Sequence, residues 1–429
     1  MNTQGTEWFH RIYGKTNKRV AYRPKDFLDY ALMCAVCALV IHVVYGASSP
    51  VGAVGIVLCA AALVMFPVRN GWAPGVPIVL RRPQEVLYSI VYKLLNLKRW
   101  YFVALAVLLL ENWLISITPT WPHHVELMRT IAFWLFYLHL GAITAYRTWI
   151  LVVHLQRRET VREILMQTAW KRKLEEQPNI VLEILHAYAT GLLAHILLIA
   201  PWFLVITWLD FSVLFLAATC VLNVYVHVRF LKVINAWFYR DHWLAHNSEF
   251  EFVYLHGPHH DAIPSGLIGV AGNGHLEGVL RHSIGAPAPF FNPFIAALVY
   301  SFEVQGDIEA HQFIPGMYPK ANLDYQKITQ HSLHHFGMLE PYGFGLNIAQ
   351  PDANPEFTAR FKVLPEELKN GIRLDEALTG YRWANPKHAQ YLDLVRRYEG
   401  PTQASTAESA PSKQASDDTH ASNRITEDA

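Results

Sequence analysis

The chain carries 22 histidines, and half of them fall in less than a quarter of its length, between His242 and His335. Three boxes stand out there: His242-Trp-Leu-Ala-His246, His256-Gly-Pro-His259-His260 and His331-Ser-Leu-His334-His335. On a helix, residues three or four apart share a face. His242 and His246 can therefore aim at one point, and so can the first two histidines of each HxxHH box. The third histidine is rotated by about 100° and can reach a second ion. Eight such imidazoles suffice to hold two ions with positions left for oxygen, and neutral imidazole suits iron, zinc or copper. Between the second and third boxes lie Glu303, Asp307 and His311, spaced by four and so on one helical face. Asp307 and His311 would offer a carboxylate and an imidazole to one centre, a common donor set for non-haem iron. The plainer reading of Glu303 and Asp307 is a solvated or capped helix end.

The remaining histidines lack this repeated spacing. His42, His139, His154, His186, His195 and His227 stand singly on apolar runs, where a lone histidine is ordinarily a core or interface residue, although an ionisable group in a membrane span invites a functional test. His123 and His124 have no partner pattern. A pH sensor also uses histidines, but it has no need of two HxxHH boxes and an HxxxH. Cys34, Cys37, Cys59 and Cys220 all lie in apolar runs, so neither a disulfide framework nor a thiolate metal site is expected. The Cys34/Cys37 pair sits within a span and reads as small apolar helix residues.

The elements that must carry these boxes are helices. The chain has 429 residues, 52% hydrophobic and only 17% charged, against about 25% charged in soluble proteins. The apolar residues come in long runs, near 27–46, 51–67, 100–118, 130–153, 181–208 and 211–234. Each approaches the roughly 20 residues needed to cross a bilayer. Residues 1–25 are polar and basic without a cleavage pattern, so no secretory signal is expected. The basic segments 1–25, 69–99, 155–178 and 229–240 alternate with connections at 47–50, 119–127 and 210 that hold no Lys or Arg. This places the N-terminus and the histidine region on the cytoplasmic side. Residues 155–178 read as an amphipathic surface helix. Residues 286–304, broken by Pro287, Pro289 and Pro293, read as a helix dipping into or lying on the membrane. The net charge of +1 gives no reason to expect a nucleic-acid partner.

The expected fold is thus all-α: a polytopic membrane bundle of about six spans with a cytoplasmic helical cap holding a histidine-rich dimetal site. The expected divisions are an N-terminal cytoplasmic segment (1–26), transmembrane helices (27–154), an amphipathic helix (155–179), further transmembrane helices (180–235), a histidine-box domain (236–350), a polar helical cap (351–399) and a disordered tail (400–429), whose Ser, Thr, Ala, Asp and Gln cannot build a core.

Over roughly residues 215–345, the order HxxxH, HxxHH, lone histidine, HxxHH resembles the fatty acid hydroxylase, or sterol desaturase, superfamily. Gly274-His275-Leu276-Glu277 resembles that family's His-Pro-x-Glu-like element without the proline. The resemblance implies two iron ions held by His242, His246, His256, His259, His260, His331, His334 and His335, with His311 as a further ligand. Asp307, His275 and Glu303 are candidate ligands or supports. No acid, base or nucleophile beyond the ligands is implied. The implied reaction is O2-dependent hydroxylation or desaturation of an unactivated C–H bond in a fatty acyl chain or sterol. An external ferredoxin- or cytochrome-type reductase would supply the electrons, since no flavin or nucleotide motif is present. The expected location is the cell (inner) membrane, and zinc could replace iron in isolated protein. There are departures: Trp243 stands where many members have arginine, and Asp307 stands where some have histidine. The first 200 residues carry no family signature.

Three rival readings have their own marks. An alkane or terminal hydroxylase uses histidine boxes at other spacings. A membrane zinc hydrolase would show HExxH or a placed glutamate base, and HExxH is absent. A metal-handling transporter would thread its ligands through the spans, whereas these boxes lie outside them.

Overall fold

The computed structural model describes residues 27–72, 75–87, 89–91, 122–165, 179–208, 250–257 and 292–310, with single positions elsewhere, among them Ala245, His259, Leu276 and Glu277. The described elements are helical. They are α1 (Phe27–Tyr45), α2 (Pro50–Asn70), the short α3 (Ile78–Arg81), α4 (Pro122–Gln156), α5 (Arg158–Leu165), α6 (Ile180–Leu198), α7 (Ala200–Trp208), a π-helix (Glu251–His256) and α8 (Pro293–Ala310). Four stretches are long and apolar enough to cross a membrane: Phe27–Tyr45, Pro50–Asn70, Val125–Gln156 and Ile180–Trp208. They match four of the six expected runs. The other two, near 100–118 and 211–234, lie mostly outside the described residues. The positions that are described between 102 and 117 are helical, and Phe102, Leu109, Leu110, Trp113 and Ile117 are exposed.

Local chemistry sets the helix ends. Gly46 closes α1 at φ 75°, donating its N–H to His42 O at 3.0 Å. Ser49 then caps α2 by accepting from Gly52 N at 3.0 Å, and Pro50 fills the first helical position, where a missing N–H costs nothing. A Cβ on Gly52 would lie 1.9 Å from Gly46 O, so only glycine permits this tight α1–α2 hairpin. Two boundaries differ from the sequence expectation. α2 runs three residues past Pro67 to Asn70. α4 begins at Pro122 and spans 35 residues, about 52 Å at 1.5 Å per residue, so two-thirds of the expected 119–127 loop is helix. Pro122 again opens the element as a first-turn proline. Between α6 and α7 the helix is interrupted at Ile199, because Pro201 has no N–H to give to Leu197 O; Ile199 N still makes the regular bond to His195 O at 3.1 Å.

The α6–α7 stretch is the centre of the bundle. Of its apolar window, 83% is buried, against 22–33% in the other three. α2 and α4 pack along α6, and α8 packs on α4 and α7. The apparent breaks at 286–304 do not interrupt α8. Pro293 opens it, Asn292 caps it by accepting from Phe294 N at 3.0 Å, and Ala296, Tyr300, Val304 and Ile308 bury one stripe. In α5, Val161 is buried and Arg158, Glu159 and Arg162 are exposed. The rest of 155–178 lies outside the described residues. Cys34, Cys37 and Cys59 are buried free thiols, as expected.

Polarity is arranged inside out. Val43, Val57, Val64, Val68, Trp134 and Leu138 are exposed, while Arg69, Arg147, His139, His154, Glu183, His186 and His195 are buried. Such an outer surface is suited to lipid rather than water. Arg69 joins α2 to α6 by a two-pronged contact with Glu183, at 2.7 and 3.0 Å. Removing one partner of a buried pair strands the other charge. Arg69→Leu alone is therefore expected to cost about 3–5 kcal/mol, and Arg69→Leu/Glu183→Leu together much less. Thermal unfolding in detergent checks the order of the three proteins; equal losses in single and double variants would refute it.

Candidate metal centre

The second histidine box is the part of the cluster that the structure describes. His256 ends the π-helix, and His259 follows one turn later. Both are buried, at 2% and 4% exposure, with ring centroids 5.0 Å apart. The first two histidines of the box thus share a face, as their spacing predicts. The wider coil was not anticipated. Gly257 N bonds Phe252 O, five residues back. Pro258 comes next, and a proline has no N–H for the regular ladder, which favours such a local widening.

Glu277 completes the described site. Its Oε1 lies 2.8 Å from His256 Nδ1, and both side chains are almost wholly buried. The carboxylate fixes Nδ1 as the protonated nitrogen and leaves Nε2 with its lone pair. That is how histidines that hold metals are commonly oriented. Sequence reasoning quoted Glu277 as part of a family-like element but gave it no role. The signal was there: a carboxylate beside the histidine-rich stretch.

The same segment is held from the N-terminal side of the chain. Asp29, in the first turn of α1, accepts a hydrogen bond from Tyr254 Oη and another from Ile78 N at 2.9 Å. Glu85 accepts from Phe250 N at 3.0 Å. Burial first, then the bond to Asp29, pushes the Tyr254 hydroxyl well above its usual pKa, so it remains a donor at working pH. The N-terminal helices, which carry no family signature, thus anchor the segment that ends in His256.

The other expected residues are less fully placed. Glu303 and Asp307 occupy successive turns of α8, as their spacing requires. His242, His246, His260, His275, His311, His331, His334 and His335 lie outside the described residues. Among the described residues no group of three or more His, Cys, Asp or Glu side chains is gathered tightly enough to hold an ion. Three lone histidines on the spans are less bland than expected. His139 Nε2 lies 3.2 Å from His195 Nε2, and His139 Nδ1 lies 2.9 Å from Ser301 Oγ. His186 Nε2 lies 3.3 Å from Tyr30 Oη. The signal for His139 and His154 was their register: they fall on the buried α4 stripe with Phe136, Ile143, Arg147 and Ile150.

An apolar-surfaced helical bundle with a carboxylate-backed histidine pair defines a membrane protein with a histidine-based candidate site. Among curated proteins the chain is distantly similar to lipid-base monooxygenases. It is 26% identical over 123 residues to Sphinganine C4-monooxygenase 1 of Arabidopsis thaliana, covering 28% of this chain and 46% of that protein. It is 28% identical over 148 residues to Sphinganine C4-monooxygenase 2 of the same plant, covering 33% and 52%. The chain therefore spans about half the length of the curated relatives it matches. No protein-family model matches the chain, and no solved structure matches it significantly.

Asp29→Ala removes the acceptor of two buried donors, and Tyr254→Phe removes only one donor. Tyr254→Phe is expected to lower stability by about 1–3 kcal/mol and Asp29→Ala by more. Equal unfolding midpoints for the two variants would count against the clamp.

Proposed function

We propose that this protein is a membrane-bound diiron oxygenase that hydroxylates, or desaturates, an unactivated C–H bond of a lipid. The observation that carries the reading is the buried His256–Glu277 contact beside His259. It is supported by the similarity to sphinganine C4-monooxygenases, themselves members of the fatty acid hydroxylase superfamily. The donor chemistry fits iron: imidazole nitrogen with carboxylate behind it, inside a site closed to bulk water.

In this reading His242, His246, His256, His259, His260, His311, His331, His334 and His335 hold two irons, with Asp307, His275 and Glu303 as ligands or supports. The irons supply activation of dioxygen. In hydroxylation one oxygen atom enters the C–H bond and the other leaves as water, with two electrons and two protons from an external ferredoxin- or cytochrome-type donor. The chain's own work is to hold and exclude. Glu277 keeps the His256 ring in one orientation with Nε2 facing the ion. Asp29 and Glu85 fix the backbone and side chain of the 250–254 segment, so that the ring cannot drift. Burial keeps water from competing with the substrate. Lipid-facing walls let a long apolar chain arrive from the bilayer, and a fixed approach selects one methylene. The histidine region faces the cytoplasm, where soluble donors are available.

Metal content and oxygen-dependent lipid turnover, measured on the same membranes, test this. About two irons per chain are expected, with an oxidised lipid that disappears without oxygen and in His259→Ala and His334→Ala. Bound metal with oxygen-independent activity would transfer the chain to a hydrolase or metal-handling class. Glu277→Ala is expected to weaken metal retention by about 10–100-fold while the bundle keeps its helix content. Unchanged retention would remove Glu277 from the site.

A further inference from the structure

A second polar site lies inside the bundle, away from the histidine boxes. Its proton bookkeeping can be worked out from one end. Ser301 Oγ donates its only hydrogen to Ala297 O at 2.7 Å. It must therefore accept from His139 Nδ1, 2.9 Å away. With one proton on each ring, His139 Nε2 carries a lone pair and accepts from His195 Nε2 at 3.2 Å. The chain of bonds ends at His195 Nδ1, a lone pair on a fully buried ring that has no hydrogen-bond partner among the described residues. Beside His139 stands Trp202, its ring centroid 5.5 Å away and its side chain also fully buried. Its indole N–H is likewise without a partner among the described residues. Next to His139, among the described residues, there are thus an acceptor on His195 lacking a donor and a donor on Trp202 lacking an acceptor.

Two orphan groups of opposite kind in a packed interior are costly, and such groups in native proteins are ordinarily met by a ligand or a water. A hydroxyl meets both needs, since it donates once and accepts as well. The site lies among four helices, three of them in membrane-crossing stretches (α4, α6 and α7). A hydroxyl reaches it most readily on a lipid chain. We infer that His195 and Trp202, ordered by His139 and Ser301, form a binding site for the hydroxyl group of a membrane lipid.

The position relates this site to the proposed metal centre. Ser301 and Ala310 lie on the same helix, about 14 Å apart in rise, and His311 follows Ala310. A lipid held by its hydroxyl at His195 can run alongside α8 towards that end. The binding inference depends only on the bundle, whereas the idea that the bound lipid is also the substrate rests on the oxygenase reading.

The test uses the full chain, metal-loaded and purified in detergent. Equilibrium binding of a radiolabelled long-chain primary alkanol is compared with that of the alkane of equal length. The alkanol is expected to bind about tenfold more tightly, the worth of about 1.4 kcal/mol from the two hydrogen bonds. Trp202→Phe, which keeps the aromatic stack, is expected to remove most of that preference, and so is His195→Leu. Where His195→Leu does not fold, Trp202→Phe alone carries the test. Equal binding of alkanol and alkane overturns the inference and leaves a buried water as occupant. So does a preference that survives the folded variants. Oxidation of the bound alkanol marks the site as the substrate's. Binding without oxidation marks a resident lipid and keeps the inference while the oxygenase reading stands or falls on its own iron and oxygen measurements.

Discussion

Asp29 sits at the start of α1, where the exposed N–H groups of a helix already favour a negative charge. Its carboxylate receives Ile78 N from beyond α2 and the hydroxyl of Tyr254 from the π-helix. Three distant stretches of chain therefore meet on one buried side chain, 3% exposed. Charge burial of this kind is tolerated only where hydrogen bonds replace water, so the geometry around Asp29 has little freedom. His256 inherits that rigidity, because it closes the same short helix two residues after Tyr254. The N-terminal hairpin, which looks superfluous when the histidine boxes are considered alone, is part of what holds the segment that ends in His256.

The same logic runs through the bundle. α6 presents Glu183, His186, Thr190 and His195 along its buried length, and each finds a named partner: Arg69, Tyr30, its own carbonyls and His139. Outside, valines and tryptophans face what would be lipid. In water this distribution would be unfavourable on both sides. In a bilayer it is consistent, since packing and internal hydrogen bonds, not apolar collapse, hold the helices together. The aromatic layer of Tyr45, Phe136, Trp202, Phe203 and Tyr300 fills the space between these polar contacts. Tyr45 shows how the two combine: its ring packs on Phe203, while its hydroxyl donates to Ile196 O at 2.6 Å.

What could be read from the sequence follows from what is local. Apolar runs and their caps located the four described spans, because span length and the Gly46–Ser49–Pro50 turn depend on neighbouring residues. The i, i+3 spacing placed His256 and His259 on one face even though the coil before them is a π-helix. Helix ends were less legible. Pro122 opens a helix, a position where a proline costs little, whereas Pro67 lies inside the last turn of α2, which continues past it despite the bond it cannot donate. Pairings between distant residues were not legible at all. Nothing near Asp29 announces Tyr254, and nothing near His139 announces His195 or Ser301, since these contacts come from how α4, α6, α8 and the hairpin cross.

The two polar regions make different demands on the same scaffold. At the His256 end, the ring nitrogen Nδ1 is matched by Glu277 Oε1 within the protein, so the ring is oriented before anything binds. In the middle of the bundle, the hydrogen-bond chain from Ala297 through Ser301 and His139 runs in one direction and, among the described residues, stops at His195 Nδ1. If the proposed oxygenase reading holds, a fixed centre at one end and an open hydrogen-bond terminus in the apolar interior would let the bundle locate one carbon on a chain of nearly identical ones. Chemistry at the centre cannot distinguish neighbouring methylenes, but a polar tether at a set distance can, because helix α8 is stiff over the distance between them.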